Sequence, residues 1–264
     1  MNQKIDFITY GDSSKYTISK KHIINLAKHS NFFNNCVGYS QKDLDDEFKN
    51  KFDSILKHER GGGYYIWKIA IIKSHLKYLN NNDILIYCDS GSSFNYFAKK
   101  RFFEYIEIIN NSKYGNLRFE SKENHIEKFW TTKELFNYFS VDINSKIANT
   151  PQLLGGHIIF KKNDHTIDFL NLFTDAVIND QKLITDFYDS NQIEEFIENR
   201  HDQSIMSLIS KKYGGEILQN ETFFAKNSEE QKSFPFLSVR NYGHGLKDRI
   251  KYNLGYKINT PIYF

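Results

Sequence analysis

The stretch Asp83-Ile84-Leu85-Ile86-Tyr87-Cys88-Asp89-Ser90-Gly91 is an apolar run that stops on a carboxylate followed by two very small residues. Read as a strand over Ile84–Cys88, it delivers Asp89 to the mouth of a sheet, where a metal ion or a ribose meets it without steric obstruction. Outward from it, the chain alternates strand and helix signals. Ile5–Thr9 is a β-rich run closed by the turn formers Tyr10-Gly11-Asp12-Ser13-Ser14, and a helical pattern follows over Lys20–Lys28. Cys36–Tyr39 reads as a second strand, and Asp43–Lys57 as one helix with Leu44, Phe48, Phe52 and Ile55 on a single face. Arg60-Gly61-Gly62-Gly63-Tyr64-Tyr65 then leads into a helix over Ile66–Leu79.

Beyond Gly91 the pattern predicts helix over Phe94–Ile109, strand over Asn116–Phe119, and helix over Thr131–Phe139 with Thr131 or Thr132 as N-cap. Strand over Ile158–Phe160 and helices over Thr166–Ile178 and Gln203–Lys212 follow, while Ser233–Phe264 is aromatic and basic without periodicity. Strands alternating with helices imply an α/β fold, a mainly parallel sheet with helices on both faces.

At 264 residues the chain suits one compact domain, since single cores stop growing near roughly 250–300 residues. The 23 Phe and 17 Tyr give that core an aromatic character. A net charge of +3 from 35 basic and 32 acidic residues is too balanced for a chain whose partner is a nucleic-acid backbone, and Lys99-Lys100-Arg101 reads as a solvated helix face. Cys36 and Cys88 cannot build a disulfide framework or a thiolate zinc site and read as small buried apolar residues in a reducing compartment. The N-terminus has no apolar signal core, and no apolar run reaches the roughly 18 residues of a membrane span. These features predict a soluble, cytoplasmic protein.

Ligands of open α/β sheets sit beyond the carboxyl ends of the strands. The residues there are Thr9-Tyr10-Gly11, Asp89-Ser90-Gly91 and the segment around Gly155-Gly156. Arg60 with Gly61, Gly62 and Gly63 combines a guanidinium, exposed N–H groups and a helix start, a set suited to phosphate, and Trp67-Lys68 adds a ring and a cation. Neither a P-loop nor a dinucleotide fingerprint is present. Asp89 is open between metal ligand, ribose contact and turn former, and one such carboxylate suffices to begin a Mg²⁺ or Mn²⁺ site that also uses substrate phosphates. Asp202, opening a helix, is open between cap and catalytic group. His244, between Gly243 and Gly245 and followed by Lys247, is a candidate metal or phosphate ligand that ranks above His125, His157 and His201.

Four segments in order, Phe7-Ile8-Thr9-Tyr10-Gly11-Asp12-Ser13, Arg60-Gly-Gly-Gly-Tyr-Tyr-Ile-Trp-Lys68, Asp83–Gly91 and Asn199-Arg-His-Asp-Gln-Ser-Ile-Met-Ser-Leu208, resemble the motifs of small GT-A type glycosyltransferases of bacteria and large DNA viruses. They span roughly the first four-fifths of the chain. The resemblance implies a GT-A sheet in a single domain over 1–264, with a nucleotide-binding half at 1–115 and an acceptor half plus C-terminal segment at 116–264. It implies transfer of a sugar from a nucleotide-diphosphate sugar, a UDP-sugar favoured, to a glycan, a lipid-linked sugar or a protein. Thr9, Tyr10, Gly11, Arg60, Gly61, Gly62, Tyr64, Lys68, Asp89, Ser90, Gly91, Gly155, Gly156 and Lys247 fall to the donor, and Asp202 with Gln203 to catalysis. Where the family carries Asp-x-Asp, this chain has Asp89-Ser90-Gly91, so Asp89 is the one carboxylate left for Mn²⁺ or Mg²⁺. His244 resembles the family's late metal ligand, though His-Gly-Leu-Lys replaces His-x-x-Gly-x-x-Lys. Asp202-Gln203 matches the pair facing the sugar in retaining members, which favours front-side displacement over a general-base route. The competing readings are a sugar nucleotidyltransferase, against which only Gly11 follows the first strand, and a degenerate carbohydrate- or nucleotide-binding module, which the lost carboxylate suggests.

Overall fold

A computed structural model describes residues 3–189, 191–223 and 229–239 of the chain. In chain order its elements are β1 (Ile5–Tyr10), α1 (Ser14–Ser30), β2 (Asn35–Tyr39), α2 (Asp46–Lys51), α3 (Asp53–Leu56), the single turn α4 (Gly61–Tyr64) and α5 (Trp67–Leu76). Then come β3 (Ile84–Cys88), β4 (Ser93–Phe94), α6 (Lys99–Asn111), β5 (Asn116–Phe119), α7 (Lys133–Tyr138), β6 (His157–Lys161), α8 (Asp164–Asn179), α9 (Asp202–Tyr213), β7 (Glu216–Leu218) and β8 (Phe236–Leu237).

Six strands form one sheet in the order β2-β1-β3-β6-β5-β7, and β4 pairs with β8 in a second, two-stranded one. The β1–β2, β1–β3 and β5–β7 pairs are parallel, whereas β6 runs against both β3 and β5. The mixed, mainly parallel sheet expected from the sequence is therefore present, with one reversed strand inside it. All five residues of β3 are buried, as a strand covered on both faces requires. Its side chains divide between two cores. Leu85 and Tyr87 join Ile8, Ile158 and Phe160 against apolar residues of α5, α8 and α9, while Ile84, Ile86 and Cys88 join Phe7, Ile159 and the aromatic residues of α6. Cys88 is buried as expected, but Cys36 is only partly so.

Two expected helices differ in the structure, and the choice between two caps is settled. The single helix expected over Asp43–Lys57 is broken into pieces. Asp43 accepts hydrogen bonds from the backbone and hydroxyl of Ser40 and closes its own turn, and Asp45 then caps α2 by accepting from the Phe48 N–H at 2.7 Å. The helix expected from Phe94 begins at Lys99, because Ser93–Phe94 pairs with Leu237 and Phe236 and Asn95 accepts from the Phe97 N–H to cap a separate turn. Of the two candidate caps, Thr132 is the one used, accepting from the Leu135 N–H.

Candidate active site

Because β6 is reversed, its first residues lie at the edge where β1 and β3 end. The Asp89 N–H donates to the Gly156 carbonyl at 2.8 Å, and the glycine pair is required by what crowds it. A Cβ on Gly156 would stand 2.9 Å from Asp89 Oδ2, and one on Gly155 would stand 3.0 Å from the Cβ of Gln203. The two glycines thus let the tip of β3 and the start of α9 close on the same point.

Beneath that point sits Lys68, delivered by the first turn of α5 and almost wholly buried. Its Nζ lies 2.6 Å from Asp202 Oδ2 and 3.5 Å from Asp89 Oδ1, and it donates to the Gly155 carbonyl at 2.9 Å. Burial alone would make the ammonium release its proton more readily. The Asp202 and Asp89 carboxylates outweigh that cost, so its pKa moves upward and the cation persists. Asp89 is different in setting, with its side chain 47% exposed. Its Oδ1 also accepts from the Tyr87 hydroxyl at 2.5 Å, from two residues back on the same face of β3. Asp202 is not a helix cap in the structure: the N-cap of α9 is His201, and the Asp202 carboxylate is turned into the Lys68 pair.

The glycine loop has an unusual backbone. Gly61, Gly62, Gly63, Tyr64 and Tyr65 all have positive φ, at 61°, 59°, 92°, 51° and 63°. Glycines adopt this region freely, whereas the two tyrosines each carry a strain of about 1–2 kcal/mol. The reversed winding turns the chain into α5 so that the Trp67 indole N–H donates to the Gly61 carbonyl at 2.8 Å, and its ring stacks on Tyr10 at 3.7 Å and 13°. Tyr64, on the inner side, packs its ring 5.0 Å from that of His201, just ahead of α9.

These parts border a cleft of about 700 Å³. Of the residues singled out from the sequence, Tyr10, Gly11, Gly61, Gly62, Asp89, Ser90, Gly91, Gly156 and Gln203 line it. Lys68, Asp202 and Gly155 lie directly behind its wall, and Thr9 is wholly buried in β1. Arg60 is turned elsewhere: its guanidinium binds Asp186 at 3.0 Å and Glu198 at 2.6 Å. His244 and Lys247 lie outside the described residues. The sequence reading did not single out Tyr16, Gln41 or Tyr65, which also line the cleft. His157, which it ranked low, lines it too, and neither ring nitrogen finds a hydrogen-bond partner among the described residues. Burial pushes its pKa down to about 4. Its place directly after Gly155-Gly156 was the available signal.

The donor chemistry at the tip of β3 suits a hard divalent cation held by one carboxylate together with substrate oxygens, because Asp89 is half-exposed and Oδ2 has no partner among the described residues. No group of three His, Cys, Asp or Glu side chains converges there or elsewhere among the described residues.

No family model and no curated protein matches the sequence. Solved structures do resemble it. A glycosyltransferase involved in glycosylation of the major capsid of PBCV-1 superposes with a TM-score of 0.52 at 12% identity, over 89% of this chain and 92% of that one. Mouse xyloside xylosyltransferase 1 gives 0.50 at 7% identity, over 90% and 94%. The WbbM bifunctional glycosyltransferase gives 0.50 at 11%, over 97% of this chain and 44% of the longer one. At such identities the likeness is one of architecture, and with the strand order and reversed β6 it establishes that this chain has the GT-A glycosyltransferase fold.

Proposed function

We propose that the protein is a glycosyltransferase that moves a sugar from a nucleotide-diphosphate sugar, a UDP-sugar in the first instance, to a glycan, lipid-linked sugar or protein acceptor with retention of configuration. One observation carries this reading. The carboxyl ends of β1 and β3, the start of β6 and the start of α9 place Tyr10, Asp89, Gly156 and Gln203 around one cleft, with the cation of Lys68 behind them. Residues 1–115 supply the diphosphate side and residues from 116 onward the side that meets the sugar.

Departure of a diphosphate needs developing negative charge to be met by groups already in place. Asp89 would hold Mn²⁺ or Mg²⁺, which when bound supplies Lewis-acid stabilisation of that charge. Tyr87 fixes the rotamer of Asp89 through Oδ1, and Oδ2 lies against Gly156, where a glycine leaves it room. Lys68 sits 3.5 Å from the same carboxylate and adds positive potential beneath the site, while Asp202 holds Lys68 in place rather than facing the cleft itself. Gln203 offers its amide to the sugar. In a front-side displacement the leaving oxygen takes the proton of the acceptor hydroxyl, so Asp202 is not needed as a general base. The Tyr10–Trp67 stack offers an aromatic wall for a base or a sugar.

Asp89→Ala is expected to lower sugar transfer by at least about a hundredfold while leaving the melting temperature within a few degrees, because the side chain is half-exposed. Thermal-shift titration with UDP, GDP and their sugars, with and without Mn²⁺, gives the binding arm. Full activity in Asp89→Ala would remove the metal-site assignment. A null response to every nucleotide diphosphate would favour a carbohydrate-binding module.

A further inference from the structure

The cleft-facing amide of Gln203 is gripped at both ends. Its Oε1 accepts from the Gly155 N–H at 3.1 Å, and its Nε2 donates to Gln152 Oε1 at 2.6 Å. Gln152 is buried, and the surroundings of its own Nε2 are acceptors only. They are Glu127 Oε1 at 3.0 Å, Thr131 Oγ1 at 3.0 Å, Ser204 Oγ at 3.2 Å and the Trp130 carbonyl at 3.2 Å. Both hydroxyls have committed their protons elsewhere, Thr131 to Glu127 Oε1 and Ser204 to the Trp130 carbonyl. An amide has one donor end and one acceptor end, so Gln152 admits a single orientation here. That orientation presents Oε1 to residue 203, which obliges Gln203 to answer with Nε2 and turns its own Oε1 to Gly155.

The polarity of this relay starts at Glu127, which is wholly buried. Its Oε2 is engaged by Lys211 Nζ at 2.8 Å and by the Ser207 hydroxyl, leaving Oε1 to accept from Thr131 and Gln152. Glu127, Gln152 and Lys211 belong to no motif of the sequence.

We propose that Glu127 and Gln152 are positioning residues that set which end of the Gln203 amide the sugar meets: carboxylate to amide to amide, each fixing the next. The inference rests on the reading of the cleft as a glycosyl-donor site. With one Nε2 hydrogen spent on Gln152 and one Oε1 lone pair on Gly155, Gln203 keeps one donor and one acceptor for sugar hydroxyls, in fixed places. Misorienting such a contact costs reaction geometry rather than ground-state affinity.

The test combines nuclear magnetic resonance of selectively ¹⁵N-glutamine-labelled full-length protein with steady-state UDP release from UDP-glucose. In the wild type the side-chain NH₂ pair of Gln203, assigned by its disappearance in Gln203→Ala, is expected to be widely split and slow to exchange. In Gln152→Leu the pair should collapse toward the position of a free amide. There kcat should fall about tenfold or more with KM within about twofold. In the Gln203→Ala background, Gln152→Leu should add no further loss of kcat.

Glu127→Gln is the sharper variant, being equal in size. Lys211 would draw the new carbonyl oxygen to itself and turn the new NH₂ toward Gln152, reversing the relay, so its loss of kcat should match that of Gln152→Leu. A split Gln203 signal that persists in Gln152→Leu, or losses that multiply across the two sites, overturns the inference. The resonance arm needs no substrate. It therefore decides the clamp even where UDP release is absent and the transferase reading itself fails.

Discussion

At the level of single side chains, the centre of the site is a buried cation between two unequal carboxylates. Lys68 and Asp202 each keep only 4% of their side-chain surface exposed, and Asp89 keeps 47%. Removing one member of a buried pair strands the other charge, whereas removing both does not. Asp202→Ala is therefore expected to destabilise the fold by about 3 kcal/mol or more, read from the urea unfolding midpoint. The double variant Lys68→Met with Asp202→Leu should recover most of that loss while remaining inactive in transfer. If the double variant is no more stable than Asp202→Ala, the pair is not the source of the cost. The sequence brought Lys68, Asp89 and Asp202 to notice one at a time, through a strand end and two helix starts. It did not show that they meet, because their proximity depends on the whole width of the sheet. The clamp on Gln203 was less visible still, since Gln152 lies 51 residues away and carries no motif.

Among the elements, the longer and self-contained ones were the most legible. The strand Ile84–Cys88 falls where its apolar run places it, and Asn116–Phe119 is the strand its alternation of polar and apolar residues suggests. The strands β4, β7 and β8 have two or three residues each and owe their existence to distant partners, so no local pattern announces them. The glycine loop is an intermediate case. Three successive glycines are free to take positive φ, yet nothing local required Tyr64 and Tyr65 to extend the same reversed winding. Space, rather than angle alone, separates the glycines. A Cβ on Gly63 would meet the Leu56 Cα at 2.8 Å and the Ile55 carbonyl oxygen at 3.0 Å, backbone atoms that cannot yield cheaply, whereas one on Gly62 meets nothing closer than the Trp67 Nε1 at 3.7 Å. Gly63→Ala should thus cost more than about 2 kcal/mol and Gly62→Ala about 1 kcal/mol. Equal losses in thermal denaturation would show that the turn tolerates movement against α3.

For the molecule as a whole, the buried imidazole of His157 gives stability a dependence on acidity. Its folded-state pKa lies near 4, below the ordinary 6.5. Between those values the unfolded chain binds a proton that the folded chain refuses, so stability rises with pH there and falls as pH drops from about 6.5 toward 4. The full effect is on the order of 3 kcal/mol. In His157→Leu the fall in denaturant midpoint across that range should be markedly flatter. An identical slope would mean that the imidazole is hydrated or partnered in solution. Among the described residues no helix is long and apolar enough to cross a membrane. The reversed strand β6 carries a final consequence, which concerns the order of synthesis. Residues up to Cys88 complete the parallel trio β2-β1-β3, but the edge of fully buried β3 stays uncovered until His157–Lys161 has been made. For that interval the growing chain exposes an apolar, unpaired strand edge of the kind that recruits other chains. The start of β6 and then Asp202-Gln203 arrive only after that interval, so the edge of β3 closes before Lys68 receives its partner Asp202.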